Sequence, residues 1–266
     1  MPYVPHTQEQ IREMLDVIGV RDMEDLFQDI PAELRPTSFA VPEGLSEMQV
    51  MRRMEELAKA NTTDVVSFLG GGVYDHFIPD AVNHLASRGE FYTAYTPYQP
   101  EASQGTLQAI FEYQTSMCRL MDMECCNASV YDGGSALFEA MMMAVRARKK
   151  TKLVIDEALS PIHRIMLDSY TRNLRLDMVT IPHVHGCSDK EGLMKAMDGD
   201  TAAVIVQNPN FFGTVDDYKE LFAKAHEHKA LAILSVYPVM QAILKTPGEM
   251  GADIAVAEGQ SLGLPL

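Results

Sequence analysis

The chain has 266 residues, 47% of them hydrophobic and 22% charged, proportions that exclude disorder, collagen-like repeats and coiled coil. Lys and Arg number 22 against 37 Asp and Glu, a formal net charge of −15; so acidic a surface repels phosphate backbones and argues against nucleic-acid and anionic-membrane binding. No apolar run approaches the roughly 20 residues of a membrane helix, and the N-terminus lacks the charged-then-apolar pattern of a signal peptide, so a cytoplasmic protein is expected.

In chain order, residues 7–17 predict a helix with Ile11, Met14, Leu15 and Ile18 at helical spacing, and Pro31 and Pro36 break the stretch that follows. Ser46 and Gln49 form a capping box ahead of Val50, Met51, Met54, Leu57 and Ala58. Residues 1–60 therefore read as a helical arm whose apolar stripes need a surface to bury against. From residue 61 to 266 short apolar runs alternate with amphipathic stretches: 152–155, 177–181, 202–206, 231–235 and 254–257, roughly 25 residues apart, the length of a strand–helix–strand unit. Continuous apolarity implies strands buried on both faces, which gives an α/β fold, three layers around a mostly parallel sheet. Ser103 is expected to open a long helix with Leu107, Ile110, Phe111, Met117 and Met121 on one side. Ser188 and Glu191 suggest a second capping box, and Asp216 the cap of a helix bearing Leu221, Phe222 and Ala225. The chain ends at Gly263–Leu266 just past a strand with no closing helix, which suggests a fragment or a gene truncated at its 3′ end.

Several stretches could carry chemistry. Gly133, Gly134 and Ser135, between a candidate strand at 128–130 and a helix from Ala136, make either a phosphate-binding helix terminus or a tight turn capped by Ser135. Gly70–Gly72 after the apolar run 65–69 is a sharp turn or a ligand loop. The stretch 91–101 has three tyrosines and two prolines with no helical or strand period. Its rings pack over a core or line a cleft, and Tyr hydroxyls, Thr96, Gln99 and Glu101 favour the cleft. Residues 206–213 follow a strand at its C-terminal end, where open parallel sheets place ligands, although Asn-Pro and Phe-Gly are equally ordinary turn residues. His183/His185 and His226/His228 are poor metal pairs, Met141–Met143 read as core filler, and Cys118, Cys125, Cys126 and Cys187 contain no CxxC pair and read as reduced thiols.

Together, Ser67–Gly72, Tyr95–Gly105, Asn127–Ser135, Gln207–Gly213 and Gly251–Gly263 resemble the glycine cleavage system P-protein (glycine decarboxylase) family, specifically subunit 1 of its split form. The resemblance implies the large domain of a fold-type-I pyridoxal-phosphate (PLP) enzyme, with the C-terminal small domain absent. In that fold a strand-end aspartate pairs with the cofactor's ring nitrogen and a lysine after a later strand forms the Schiff base. Here the aspartate's place reads Ser235-Val236-Tyr237-Pro238, the lysine's place Glu258-Gly259-Gln260-Ser261, and the last lysine is Lys245. The resemblance therefore implies no catalytic residue in this chain, a Schiff-base lysine supplied by subunit 2, and PLP bound mainly by that partner. Tyr95, Thr96, Tyr98, Gln99, Glu101, Asn210 and Phe211 would line the substrate and cofactor cleft, and Gly133, Gly134 and Ser135 a phosphate cup. The implied reaction is decarboxylation of glycine with CO2 release and aminomethyl transfer to the lipoyl group of H-protein. Two other readings are a non-catalytic scaffold that stabilises or gates a partner, and a self-sufficient PLP enzyme using Lys245.

Overall fold

Five apolar runs pair side by side in the computed structural model, which describes residues 5–36, 38, 40–62, 64–72, 74–94 and 97–265. The chain divides into two units, Met1–Val66 and Ser67–Leu266. In the first, α1 (Gln8–Ile18) and α2 (Glu47–Lys59) each begin with a reciprocal capping box, Thr7 with Gln10 and Ser46 with Gln49. Of the described residues in this unit only Leu15 is buried, and Met48, Met51, Met54 and Leu57 on α2 are exposed.

In the second unit α3 (Asp80–Ala86), α4 (Gly89–Tyr92), α5 (Pro100–Met121) and α6 (Gly133–Arg148) precede the sheet. Then β1 (Lys152–Asp156), α7 (Pro161–Thr171), β2 (Asp177–Ile181), α8 (Lys190–Ala196), β3 (Thr201–Asn208), α9 (Lys219–Glu227), β4 (Leu231–Val236), α10 (Pro247–Met250) and β5 (Ile254–Ala257) alternate. The strands are all parallel, in the order β2-β1-β3-β4-β5. Alternate residues serve opposite faces. Val154, Val204, Val206, Ala232 and Leu234 pack with Leu193, Leu221 and Phe222 of α8 and α9. Leu153, Ile155, Ala203, Ile205 and Ile233 pack with Leu137, Met141 and Leu167 of α6 and α7. A fully buried side chain of this kind contributes about 1.5–3 kcal/mol, so covering both faces dominates the stability of the sheet.

The structure departs from several local expectations. No strand forms at 65–69 or 128–130 among the described residues. Val66, Phe68 and Leu69 are exposed. Gly70–Gly72 all have positive φ, which explains the three glycines as a backbone requirement. Helix α5 starts at Pro100 rather than Ser103, which interrupts it with φ −138° and ψ 34°, and Phe111 faces outward. The cap of α8 is Asp189, whose carboxylate accepts from the Gly192 amide, and no side chain caps α9.

Ser188 is diverted from capping by a long-range partner. The carboxyl of Asp156 at the end of β1 accepts from the Ala158 amide at 2.9 Å and from Ser188 Oγ at 2.5 Å, and Ser188 Oγ lies 2.8 Å from Tyr218 Oη. This buried network ties the ends of three strand-to-helix connections together. Burial pushes the Asp156 carboxyl above its ordinary 3.8, with nearby Asp216 adding to the rise and the Ser188 and Ala158 hydrogen bonds and His183 opposing it. Burial likewise raises the Tyr218 phenol. Asp216 itself pairs with Lys190 at 2.9 Å instead of capping α9.

Two stability predictions follow from these contacts. A carboxyl raised in the folded state holds its proton more tightly there; its stabilising contribution is complete below the unfolded value and is lost as pH rises through the folded one. Wild type should thus gain stability relative to Asp156→Asn as pH falls from about 7 towards 4, read by urea denaturation; a gap that does not change with pH contradicts the raised carboxyl. Separately, a Cβ on Gly248 would lie 1.8 Å from the Asp122 carbonyl oxygen, a backbone atom that cannot yield, whereas nothing lies within 4 Å of one on Gly199. Gly248→Ala should cost about 1–3 kcal/mol by the same assay, while Gly199→Ala should change stability by less than about 0.5 kcal/mol.

Candidate functional site

The C-terminal edge of the sheet gathers the polar groups that the core excludes, and α6 begins beside it. Asp132 caps α6, its Oδ1 accepting from the Ser135 amide at 2.6 Å, so Ser135 is a capped residue and not the cap. The Gly133 amide donates to Glu258 Oε2 at 2.7 Å, and Glu258 directly follows β5. On α7, His163 completes this corner, with Nδ1 buried and without a hydrogen-bond partner among the described residues. Burial pulls the His163 imidazole below its ordinary range, against the opposing pull of Glu258 and Asp132.

The end of β4 carries no acid. Ser235 is buried there, and the next residues lead to Tyr237, whose hydroxyl lies 2.6 Å from His76 Nε2 and whose ring meets Tyr74 edge-on at 4.9 Å. Burial raises the Tyr237 phenol. Past β5, Gln260 donates from Nε2 to the Leu264 carbonyl at 2.9 Å, a contact that holds a local turn. Lys245 is exposed and pairs with Asp217, which holds its ammonium protonated, the opposite of what a Schiff-base nucleophile needs.

The loop after β3 is occupied with its own structure. Gln207 Oε1 accepts from the Ser160 amide at 2.8 Å, and Asn208 brackets the Asp216 backbone through Nδ2 at 3.0 Å and Oδ1 at 3.1 Å. Asn210 is 4% exposed, its Oδ1 accepting from the Phe212 and Thr214 amides and its Nδ2 donating to the Gly186 carbonyl. It therefore shapes the loop. Phe211 is exposed, its amide bonded to the Ala158 carbonyl and its ring edge-on to Phe212. Tyr98 is 70% exposed and Gln99 precedes the first turn of α5, where its carbonyl accepts from the Ala102 and Ser103 amides. Tyr95 and Thr96 lie outside the described residues, as does the side chain of Glu101.

The corner formed by Asp132, Gly133, His163 and Glu258 was not legible as a unit, because Glu258 stands 125 positions from the amide it binds. No group of His, Cys, Asp or Glu suited to a metal ion occurs among the described residues, and the four cysteines are free. The residues present do not fit a PLP group held by this chain alone. No amine follows β5, no carboxylate ends β4, and a carboxylate already holds the Gly133 amide.

Comparison with known proteins bears on all of this. A family model described as the glycine cleavage system P-protein matches residues 1–266. The chain is 71% identical to a probable glycine dehydrogenase (decarboxylating) subunit 1 of Nitratidesulfovibrio vulgaris and 68% identical to one of Maridesulfovibrio salexigens, in each case over 100% of this chain and 60% of the relative. A crystal structure of glycine decarboxylase (P-protein) of the glycine cleavage system, in inhibitor-bound form, superposes with a TM-score of 0.89 at 42% identity, covering 100% of this chain and 60% of that one. A structure of SspA in complex with cysteine, 13% identical with a TM-score of 0.57 over 71% of this chain, shares the fold alone. The sequence thus spans 60% of the length of the relatives it matches, its α/β architecture is that of PLP fold type I, and by its match along the whole chain it belongs to the glycine cleavage system P-protein family.

Proposed function

We propose that this chain acts as subunit 1 of a glycine-decarboxylating P-protein, a cytoplasmic heteromer in which subunit 2 supplies the Schiff-base lysine and most of the contacts to PLP. The observation that carries this reading is the sequence after β5, Glu258-Gly259-Gln260-Ser261, which offers no amine where the family fold needs one. Glycine would lose its carboxyl carbon as CO2, and its aminomethyl group would pass to the lipoyl group of H-protein, at the partner's cofactor. PLP supplies the electron sink in that site, and no step runs through this chain's own α6 terminus.

The contribution of this chain is to complete the cleft. Tyr95, Thr96, Tyr98, Gln99 and Glu101 would face the partner's cofactor and substrate. The exposed Tyr98 ring supports this, since an aromatic side chain 70% open to solvent at the start of a helix is available for a partner to cover. Phe211 would lie nearby, with Asn210 fixing the loop that presents it.

The full-length chain should release no labelled CO2 from carboxyl-labelled glycine by itself and should do so once combined with subunit 2 and H-protein. Tyr95→Phe, Tyr98→Phe and Glu101→Gln should lower that turnover by about 10²-fold without weakening complex formation, the size expected for groups that orient or exchange a proton. Lys245→Met should leave it unchanged. Unaltered turnover in all three cleft variants would replace this reading with the scaffold one. Borohydride trapping of coenzyme on an amine of this chain would overturn it outright.

A further inference from the structure

The glycines that open α6 invite a phosphate, yet their surroundings are already filled. The first turn of a helix leaves amide donors without partners and carries positive potential, which is why anions bind there. Here the Gly133 amide is bonded to Glu258 Oε2 at 2.7 Å and the Ser135 amide to Asp132 Oδ1 at 2.6 Å. The space above the glycines is also taken. A Cβ on Gly133 would meet Glu258 Oε2 at 3.0 Å and His163 Nε2 at 3.5 Å; one on Gly134 would meet Met166 Sδ at 2.3 Å. Neither glycine has a positive φ, so backbone freedom does not explain them. They are small to admit the Glu258 carboxylate and the Met166 side chain of α7.

We propose that Glu258 is a built-in anion that occupies and closes the phosphate seat at the N-terminus of α6, so that this subunit takes no phosphate-bearing ligand there. A phosphate group entering the corner would compete with one carboxylate for the Gly133 amide and sit beside a second on Asp132. Like charges at such separations repel strongly where water is scarce. His163, a basic side chain at this corner, is pulled towards its neutral form by burial and gives little counter-charge. The same contact has a positioning role, because it ties the end of β5 and the turn Gly259–Leu262 to α6 on the neighbouring layer.

The inference goes beyond the reading of the chain as a partner-dependent subunit, and its test needs no partner, so either can fail alone. The probe is inorganic phosphate added to the full-length chain, with chloride at matched ionic strength as reference, and the readouts are the melting temperature and direct binding by calorimetry. Wild type should melt at the same temperature in both salts. Glu258→Ala, which vacates the seat, should melt lower in chloride, recover in phosphate, and bind phosphate roughly tenfold or more tightly than wild type. Glu258→Gln, which keeps the volume and removes the charge, should respond to phosphate more than wild type and less than Glu258→Ala. It serves alone if the alanine variant does not fold. A phosphate response in wild type equal to that of the variants, or no response in any folded variant, would overturn the assignment.

Discussion

A parallel sheet buried on both faces leaves one place for polar chemistry, the edge where its strands end. In this chain β1, β3 and β4 give alternate side chains to α8 and α9 on one side and to α6 and α7 on the other, so their polar residues collect at the C-terminal edge. Asp156, Gln207, Asn208 and Ser235 all stand there. The order β2-β1-β3 reverses the direction of winding between β1 and β3, and open sheets usually take ligands in the crevice at such a point. That crevice is laced shut here, by the Ser160 amide on Gln207 Oε1 and the Phe211 amide on the Ala158 carbonyl. The corner between α6 and β5 is closed by Glu258 in the same manner.

The sheet could be read from the sequence because its central strands β1, β3 and β4 carry apolar runs buried on both faces, while the edge strand β2, with Asp177 and Thr180 exposed, is legible chiefly from its spacing. Of the helices between them, α8 and α9 were legible from their apolar spacing. What escaped were the polar assignments. Ser188 and Asp189 each stand three residues before a group that a cap could use, and a local pattern cannot rank them. Asp156, 32 positions away, decides by claiming the Ser188 hydroxyl. The runs at 65–69 and 128–130 look like strands by composition, but a strand needs a neighbour, and the sequence does not say where one lies. Asn210 was legible as a loop residue of interest, yet only its three hydrogen bonds reveal that it holds the loop's shape.

The corner at Glu258 shows how a carboxylate from elsewhere in the fold can satisfy a helix terminus. An amide left unpaired in a buried first turn costs about 1–3 kcal/mol, a large share of the margin by which a domain is stable. A chain that binds no phosphate at such a terminus needs another acceptor, and here the segment leaving β5 delivers one. Glu258 meets that need with a charge-assisted bond at 2.7 Å, and Gln260 turns back to the Leu264 carbonyl. At the end of β4 a small hydroxyl, Ser235, stands buried where a carboxylate without a cationic partner would carry a heavy desolvation cost.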